Sequence, residues 1–311
     1  MTVPLTYQSA FHAPVLAPEV VELLRDSRHV LDCTLGGGGH ALALLERGAD
    51  VTGIDRDPEA IQVASQRLQE YATIGTFRAL LANYAMLEAS ELTDVRFDGI
   101  LLDLGVSSHQ LDDAARGFSF RPGAPLDMRM GVGATRSAAD FLNDADEGEL
   151  AFVFREYADE RRALRLAREI VRRRETRAFA VSDDLVNAIR AALGPSSGPS
   201  DFARLFQAVR IGVNDELVGL ERALPDLRER LTETGTLVVI AYHSGEDRIV
   251  KNAFREWSAE CICPPKHPFC TCRGRALGET LTRRPVSASP GETAHNVRAR
   301  SARLRAWRRA A

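Results

Sequence analysis

Apolar residues in this chain fall into short continuous blocks separated by stretches of helical periodicity. The blocks are residues 30–31 ahead of Asp32, 51–54, 76–81, 97–104 (FDGILLDL) and 236–241 (TLVVIA). Blocks that are apolar on both faces predict strands of a buried parallel sheet. Between the first four, apolar positions recur at helical spacing, in residues 41–45 and at Ile61, Ala64 and Leu68, the second helix starting at the N-cap pair Asp57 and Pro58. Strands that alternate with helices predict an α/β fold with a doubly wound, mostly parallel sheet.

After residue 104 the pattern changes. Residues 105–130, GVSSHQLDDAARGFSFRPGAPLDMRM, are too long and irregular for a plain connection, and loops of that kind tend to be functional. Helices are predicted at 138–143, 147–157, 161–174 and 183–193, with no strand signal from about 113 to 204, so an inserted helical domain is expected. GPSSGPS at 194–200 reads as a hinge or loop at its far edge. One long helix is predicted over 202–231, on the stripe Phe206, Val209, Val213, Leu217, Leu220 and Leu224. The sheet resumes at 236–241, a helix follows at 246–257, and the remainder supplies one or two closing strands. The expected division is therefore 1–112 with 205–311 as one domain and 113–204 as the insert, assigned to RNA recognition on grounds given below.

Composition adds limits. With 311 residues, 45% hydrophobic and 27% charged, the chain has the make-up of an ordinary soluble globular protein. No apolar run approaches membrane-span length, and the first residues, MTVPLTYQSAFHAP, lack the basic and apolar regions of a signal peptide, so a cytoplasmic location is expected. The net charge of −3 hides an asymmetry, because residues 273–311 carry ten arginines against two glutamates. A basic tail on an acidic remainder points to a polyanionic partner, nucleic acid first, against the plainer reading of a solubilising terminal segment.

The chemistry gathers at the predicted strand ends. Residues 30–40, VLDCTLGGGGH, read as strand, glycine turn and helix, and Asp55 ends the next strand where a carboxylate can hold ribose hydroxyls. Contiguous glycines preceded by Asp32 depart from the spaced dinucleotide fingerprint. A carboxylate there suits a ligand with a positive amino group, such as S-adenosylmethionine, better than a pyrophosphate, which it would repel. Asn83 with Tyr84, residues 103–110, and residues 242–247 are further polar strand ends, and their recurrence points to one shared cleft. DLGVSS at 103–108 stands where a reacting atom would lie, and it makes Asp103 and Ser107 candidate catalytic residues. His243 could assist proton loss, contact a base, or be structural.

Several of these stretches together resemble a known family. HxPVL at His12, DCTLGGGGH at Asp32, GIDRDPEAI at Gly53, DGILLDLGVSSHQLD at Asp98, RGFSF at Arg116, PLDMRM at Pro125, FQAVRIGVNDEL at Phe206, HSGEDR at His243 and NVRARSARLR at Asn296 are similar, in the same order, to the bacterial small-subunit ribosomal RNA methyltransferase H family. The resemblance implies a class I S-adenosylmethionine-dependent methyltransferase with a helical insert, acting on the exocyclic amine of one cytidine in the decoding centre of 16S RNA, free or in the 30S subunit. It implies cofactor contacts at Gly38, Gly39, His40, Asp55, Tyr84, Asp103 and Gln110, the last from the resemblance alone; Asp32 and Gly36 join them from the reading of the turn. His109, Gly245 and the segments at Tyr157 and Asp201 depart from the family's usual residues, which bears on RNA docking more than on the cofactor. The rival readings are a nicotinamide-dependent oxidoreductase, disfavoured by Asp32, and a non-catalytic ribosome-assembly factor that keeps a nucleotide-binding fold.

Five cysteines in a chain this long do not suggest a disulfide scaffold. Cys33 reads as packing. Cys261, Cys263, Cys270 and Cys272 form two C-x-C pairs with His267 between them; zinc is one reading, but structural sites more often use C-x-x-C, so a reduced loop near the RNA, without metal, is the expectation. RNA contacts are expected from the basic tail, the arginines of 161–177, and the loop 117–129, where Phe118 and Phe120 either stack on bases or pack on a core.

Overall fold

A computed structural model of the chain describes Tyr7 and residues 14–71, 75–264 and 269–311. His12 of the HxPVL motif and His267 lie outside the described residues. The chain divides into two compact units, residues 1–105 with 217–311 and residues 106–216.

The first unit is built on a seven-stranded sheet of order β3-β2-β1-β4-β5-β7-β6. Its strands are β1 (His29–Asp32), β2 (Asp50–Asp55), β3 (Phe77–Leu81), β4 (Phe97–Asp103), β5 (Leu231–Ala241), β6 (Gly278–Thr280) and β7 (Arg303–Arg309). β1 to β5 pair in parallel, and β7 and β6 close the sheet antiparallel to them. Alternate residues of one strand enter opposite cores. Ile100, Leu102, Leu237 and Val239 pack with Phe254, Trp257 and Trp307 on one face, whereas Leu101, Val238 and Ile240 pack with Leu42, Leu45 and Leu304 on the other. The unbroken apolar strands at the sequence level have this physical cause: both faces are covered. Trp257 and Trp307 meet edge to face with centroids 5.2 Å apart.

The second unit is helical, with helices Ala138–Asp144, Glu147–Ala158, Ala163–Arg174, Ser182–Leu193 and Pro199–Asn214 around one core. Its only described strand-like pairing is the isolated bridge between Pro125 and Val181. Phe118 is buried, and Phe120 meets Phe202 and Phe206 edge to face, so both phenylalanines pack on this core rather than offering stacking faces.

Two expectations need correction. The helix predicted over 202–231 is two helices, Pro199–Asn214 and Glu216–Glu229, broken at Asp215 in the left-handed region (φ 51°). The break is held by Asn214, which accepts from the Met130 amide at 2.9 Å and donates to the Met128 carbonyl at 2.7 Å. The unit boundaries consequently lie at 106 and 216, outside the expected 113 and 204. Phe202, Leu205, Phe206, Val209 and Val213 belong to the core of the helical unit, and Val106 and Leu111 pack against it.

Candidate active site

In an open parallel sheet a ligand crevice forms at the carboxyl ends of strands where the chain order reverses, here between β1 and β4. β1 ends at Asp32, and the turn that follows is tied down from both sides. Thr34 Oγ1 accepts from the Asp103 amide at 2.6 Å, and the Leu35 amide continues the pairing to Ile54 at 2.9 Å. Asp55, at the end of β2, takes the Gly36 amide on Oδ2 and the Asp57 amide on Oδ1, each at 2.9 Å. Arg67 donates to the Gly37 carbonyl at 2.8 Å. Gly36 (φ 50°) and Gly38 (φ 74°) adopt a backbone that side chains disfavour, and a Cβ on Gly38 would stand 2.8 Å from Leu68 Cδ1. Gly39 starts the helix Gly39–Leu45, and a Cβ there would stand 2.8 Å from Pro14 Cδ.

The polar groups behind this turn form one cluster, with Asp32, His40 and Asp103 buried and Asp55 and Tyr242 half-buried. Asp32 is 1% exposed; its Oδ1 accepts from the Thr34 amide, while its Oδ2 has no hydrogen-bond partner. Burial pushes the Asp32 carboxyl up to about 6, against an opposing pull from His40. Burial likewise raises Asp55 to about 6, opposed by the two amides it accepts. His40 Nε2 lies 3.4 Å from Asp103 Oδ2, within ion-pair distance but without hydrogen-bond alignment, and neither ring nitrogen has a hydrogen-bond partner. Asp103 Oδ1 accepts from the Tyr242 hydroxyl at 2.8 Å. Burial first, and the Asp103 charge second, push the Tyr242 hydroxyl well above its usual range, so it is a donor at any physiological pH.

His243 begins the helix Ser244–Trp257 and is turned toward Glu246, with Nε2 3.2 Å from Oε1. Glu246, 2% exposed, also accepts from the Tyr242 amide at 2.8 Å. Tyr84 opens the 3-10 helix Tyr84–Ala89 after the Asn83 cap and packs against the core containing Ile54 and Leu104.

Asp32, Gly36, Gly38, Gly39, His40, Asp55, Tyr84, Asp103 and His243 therefore share the first unit. Ser107 and Gln110 belong to the second, where they cap the helix Ser108–Asp112 reciprocally. Ser107 Oγ accepts from the Gln110 amide at 3.1 Å, and Gln110 Oε1 from the Ser107 amide at 3.0 Å. Ser107 is thus a helix cap, and nothing in its bonding makes it a nucleophile or a base.

Sequence reading named the end of β5 but not Tyr242 itself as a site residue, and it missed Thr34 and Arg67. A tyrosine one residue beyond an apolar strand was the available signal. Its direction depends on the pleat register, which the sequence does not display.

The residues fit S-adenosylmethionine. The main chain at Gly36 is open to close approach, a Cβ there meeting nothing nearer than the Thr34 carbonyl at 3.9 Å, and Asp32 offers an acceptor without a hydrogen-bond partner and a buried negative charge for a cationic ligand.

Residues 9–310 match the profile of the MraW methylase family. A protein from Gemmatimonas aurantiaca named ribosomal RNA small subunit methyltransferase H is 66% identical over 301 residues, spanning 96% of each chain. Proteins of the same name from Heliobacterium modesticaldum and Symbiobacterium thermophilum are each 44% identical over 95% of this chain and 97% and 95% of theirs.

Proposed function

The chain belongs to the MraW methylase family, and from that premise we propose that it methylates the exocyclic amine of one cytidine in the decoding centre of small-subunit ribosomal RNA. The observation that carries the reading is the cluster of buried Asp32, His40 and Asp103 with half-buried Tyr242 behind the glycine turn at the switch point of the sheet. S-adenosylmethionine, when bound, supplies a methyl group on a positively charged sulfur.

The protein's part is positioning and charge. Gly36 lets the cofactor approach the main chain, Gly38 and Gly39 let the turn pack against Leu68 and Pro14, and Asp55, by clamping the Gly36 amide, keeps that turn in place. Asp32 supplies the negative charge that favours a cation. A cytosine amine is a weak nucleophile because its lone pair is delocalised into the ring. Asp103 accepts an amine N–H and so turns that lone pair toward the methyl group, while the Tyr242 hydroxyl fixes the carboxylate's orientation. Attack by the amine needs no covalent intermediate on the enzyme, consistent with Cys33 being buried in packing. The amine proton leaves after transfer; Asp103, His243 and water are the acceptors within this scheme.

RNA recognition falls to exposed arginines of the helical unit, among them Arg161, Arg165 and Arg168, and to the basic tail. The substrate is the ribosomal RNA itself or the 30S subunit that contains it. No described helix is long and apolar enough to cross a membrane.

Mapping of modified nucleotides in ribosomal RNA from a deletion strain tests the proposal. One cytidine is expected to lose its amine methyl group, and a map identical to the parent's removes the activity. Labelled methyl transfer by purified protein to naked 16S RNA and to 30S subunits then identifies the form it acts on.

A further inference from the structure

The loop joining the helix Ser244–Trp257 to β6 has little apolar material to hold it. Ile262 is 46% exposed and Phe269 79% exposed. Its base is closed by the Leu277 amide bonding to the Trp257 carbonyl at 2.8 Å, and by Arg273, which bonds Glu256 Oε1 at 2.7 Å and the Ala259 carbonyl at 3.2 Å. At the tip, the thiols of Cys261, Cys263, Cys270 and Cys272 converge, with all four sulfurs within 4.8 Å of one another.

The spacing has a specific meaning. Zinc–thiolate bonds of about 2.3 Å in a regular tetrahedron set sulfur–sulfur edges near 3.8 Å. The sulfurs of Cys261 and Cys270 lie 3.8 Å apart, those of Cys270 and Cys272 3.5 Å, and those of Cys261 and Cys272 3.9 Å. Disulfides would need about 2.05 Å, and all four cysteines are free thiols. Each C-x-C pair also supports the other. The Ile262 amide donates to Cys272 Sγ at 3.3 Å and the Thr271 amide to Cys263 Sγ at 3.4 Å, an exchange that stabilises thiolate charge.

We propose that Cys261, Cys263, Cys270 and Cys272 form a structural zinc site that fixes this loop. The four thiols release their protons to solvent on binding, and the closed tetrathiolate leaves no open position for catalysis. The ion supplies the cross-link that the sparse apolar contacts of the loop do not. All four sulfurs around one centre leave no space for the bridging sulfides of an iron–sulfur cluster. The expected metal-free loop is revised accordingly: C-x-C is the rarer spacing, but the fold brings two such pairs face to face.

The test uses the full chain, purified without added metal and without a histidine tag. Elemental mass spectrometry is expected to find about one zinc per chain, falling below about 0.2 in the Cys261→Ser/Cys270→Ser variant. Cobalt in place of zinc is expected to give the intense visible bands of a tetrahedral thiolate centre. Should the double variant prove insoluble, a mercurial titration of native protein decides, because zinc must then leave in step with four thiols. Zinc below about 0.2 equivalents in the native chain overturns the proposal, as do iron in its place, zinc retained by the variant, or a six-coordinate cobalt spectrum.

Discussion

Tyr242, one residue beyond β5, donates its hydroxyl to Oδ1 of Asp103, the last residue of β4, across 2.8 Å. Two neighbouring parallel strands thus end in one donor and one acceptor, and the carboxylate that would face the reacting amine is oriented by a phenol that stays protonated. Tyr242→Phe removes the donor and little volume. It is expected to lower kcat on the order of tenfold to a hundredfold, with cofactor affinity nearly unchanged. Single-turnover methyl transfer beside calorimetric cofactor binding separates the two; equal losses in both would make Tyr242 a binding residue instead.

Asp32 sets a pH dependence. Its carboxyl titrates at about 6 when folded against 3.8 as a free side chain, so between those values the folded state holds the extra proton. Stability contributed by this group therefore falls as pH rises from about 4 to about 6, by roughly 3 kcal/mol as an upper bound. Asp32→Asn has no such drop, and denaturant unfolding at pH 4 and pH 7 should show the stability difference between variant and parent moving in the variant's favour. A cation bound near Asp32 favours the ionised form, so cofactor affinity is expected to strengthen as pH rises through about 6, with proton release on binding in that window. Calorimetry in buffers of different ionisation heat reads that release, and its absence would place the cofactor's charge elsewhere.

Asn214 bridges the irregular segment at Met128 and Met130 and the helix that ends beside it. Met128 itself has φ 60°, a backbone that needs holding. Asn214→Ala strands a buried amide and a buried carbonyl, and a loss of about 2–4 kcal/mol is expected from unfolding curves. A loss under about 1 kcal/mol would mean water replaces the side chain without cost.

The basic tail divides into two kinds of arginine. Arg305 is buried and bonds Asp247 through two nitrogens at 2.6 and 3.1 Å, whereas Arg300 is exposed and Arg303 half-solvated, 3.8 Å from the same carboxylate. Arg305→Ala leaves the buried Asp247 carboxylate with only the long, solvent-exposed contact to Arg303 and is expected to cost about 3 kcal/mol of stability. Arg300→Ala with Arg303→Ala is expected to leave stability and cofactor affinity in place, weaken RNA binding and flatten its salt dependence. An unaltered slope of affinity against salt concentration would remove these two side chains from the RNA surface.

The parallel sheet was legible because both of its faces are covered, so residues 99–102 (GILL) in β4 and 237–241 (LVVIA) in β5 carry no polar interruption. The glycine turn was legible for a different reason: only glycine tolerates φ near 50–74° at Gly36 and Gly38. Asp215 was not legible. The stripe from Phe206 to Leu224 continues through it, and only the partners of Asn214, more than eighty positions away, show why the helix stops. Charge in the tail read correctly as an excess of arginine but could not tell Arg305, aimed at Asp247, from Arg300, aimed at water, since strand pairing decides that. Ser107 and Gln110 illustrate the same limit, because a reciprocal capping pair looks the same in one dimension as a catalytic serine beside a cofactor contact.

The position of β7 also governs the order in which the molecule can be completed. β1 to β4 are made before the helical unit, but β5 acquires its second neighbour only when residues 303–309 have been synthesised. Until then the apolar edge of residues 236–241 is bare, with its amides and carbonyls open to any passing strand. A nascent chain halted before Arg303 is thus an unfinished sheet, and chains released at that point are expected to aggregate unless a chaperone covers β5.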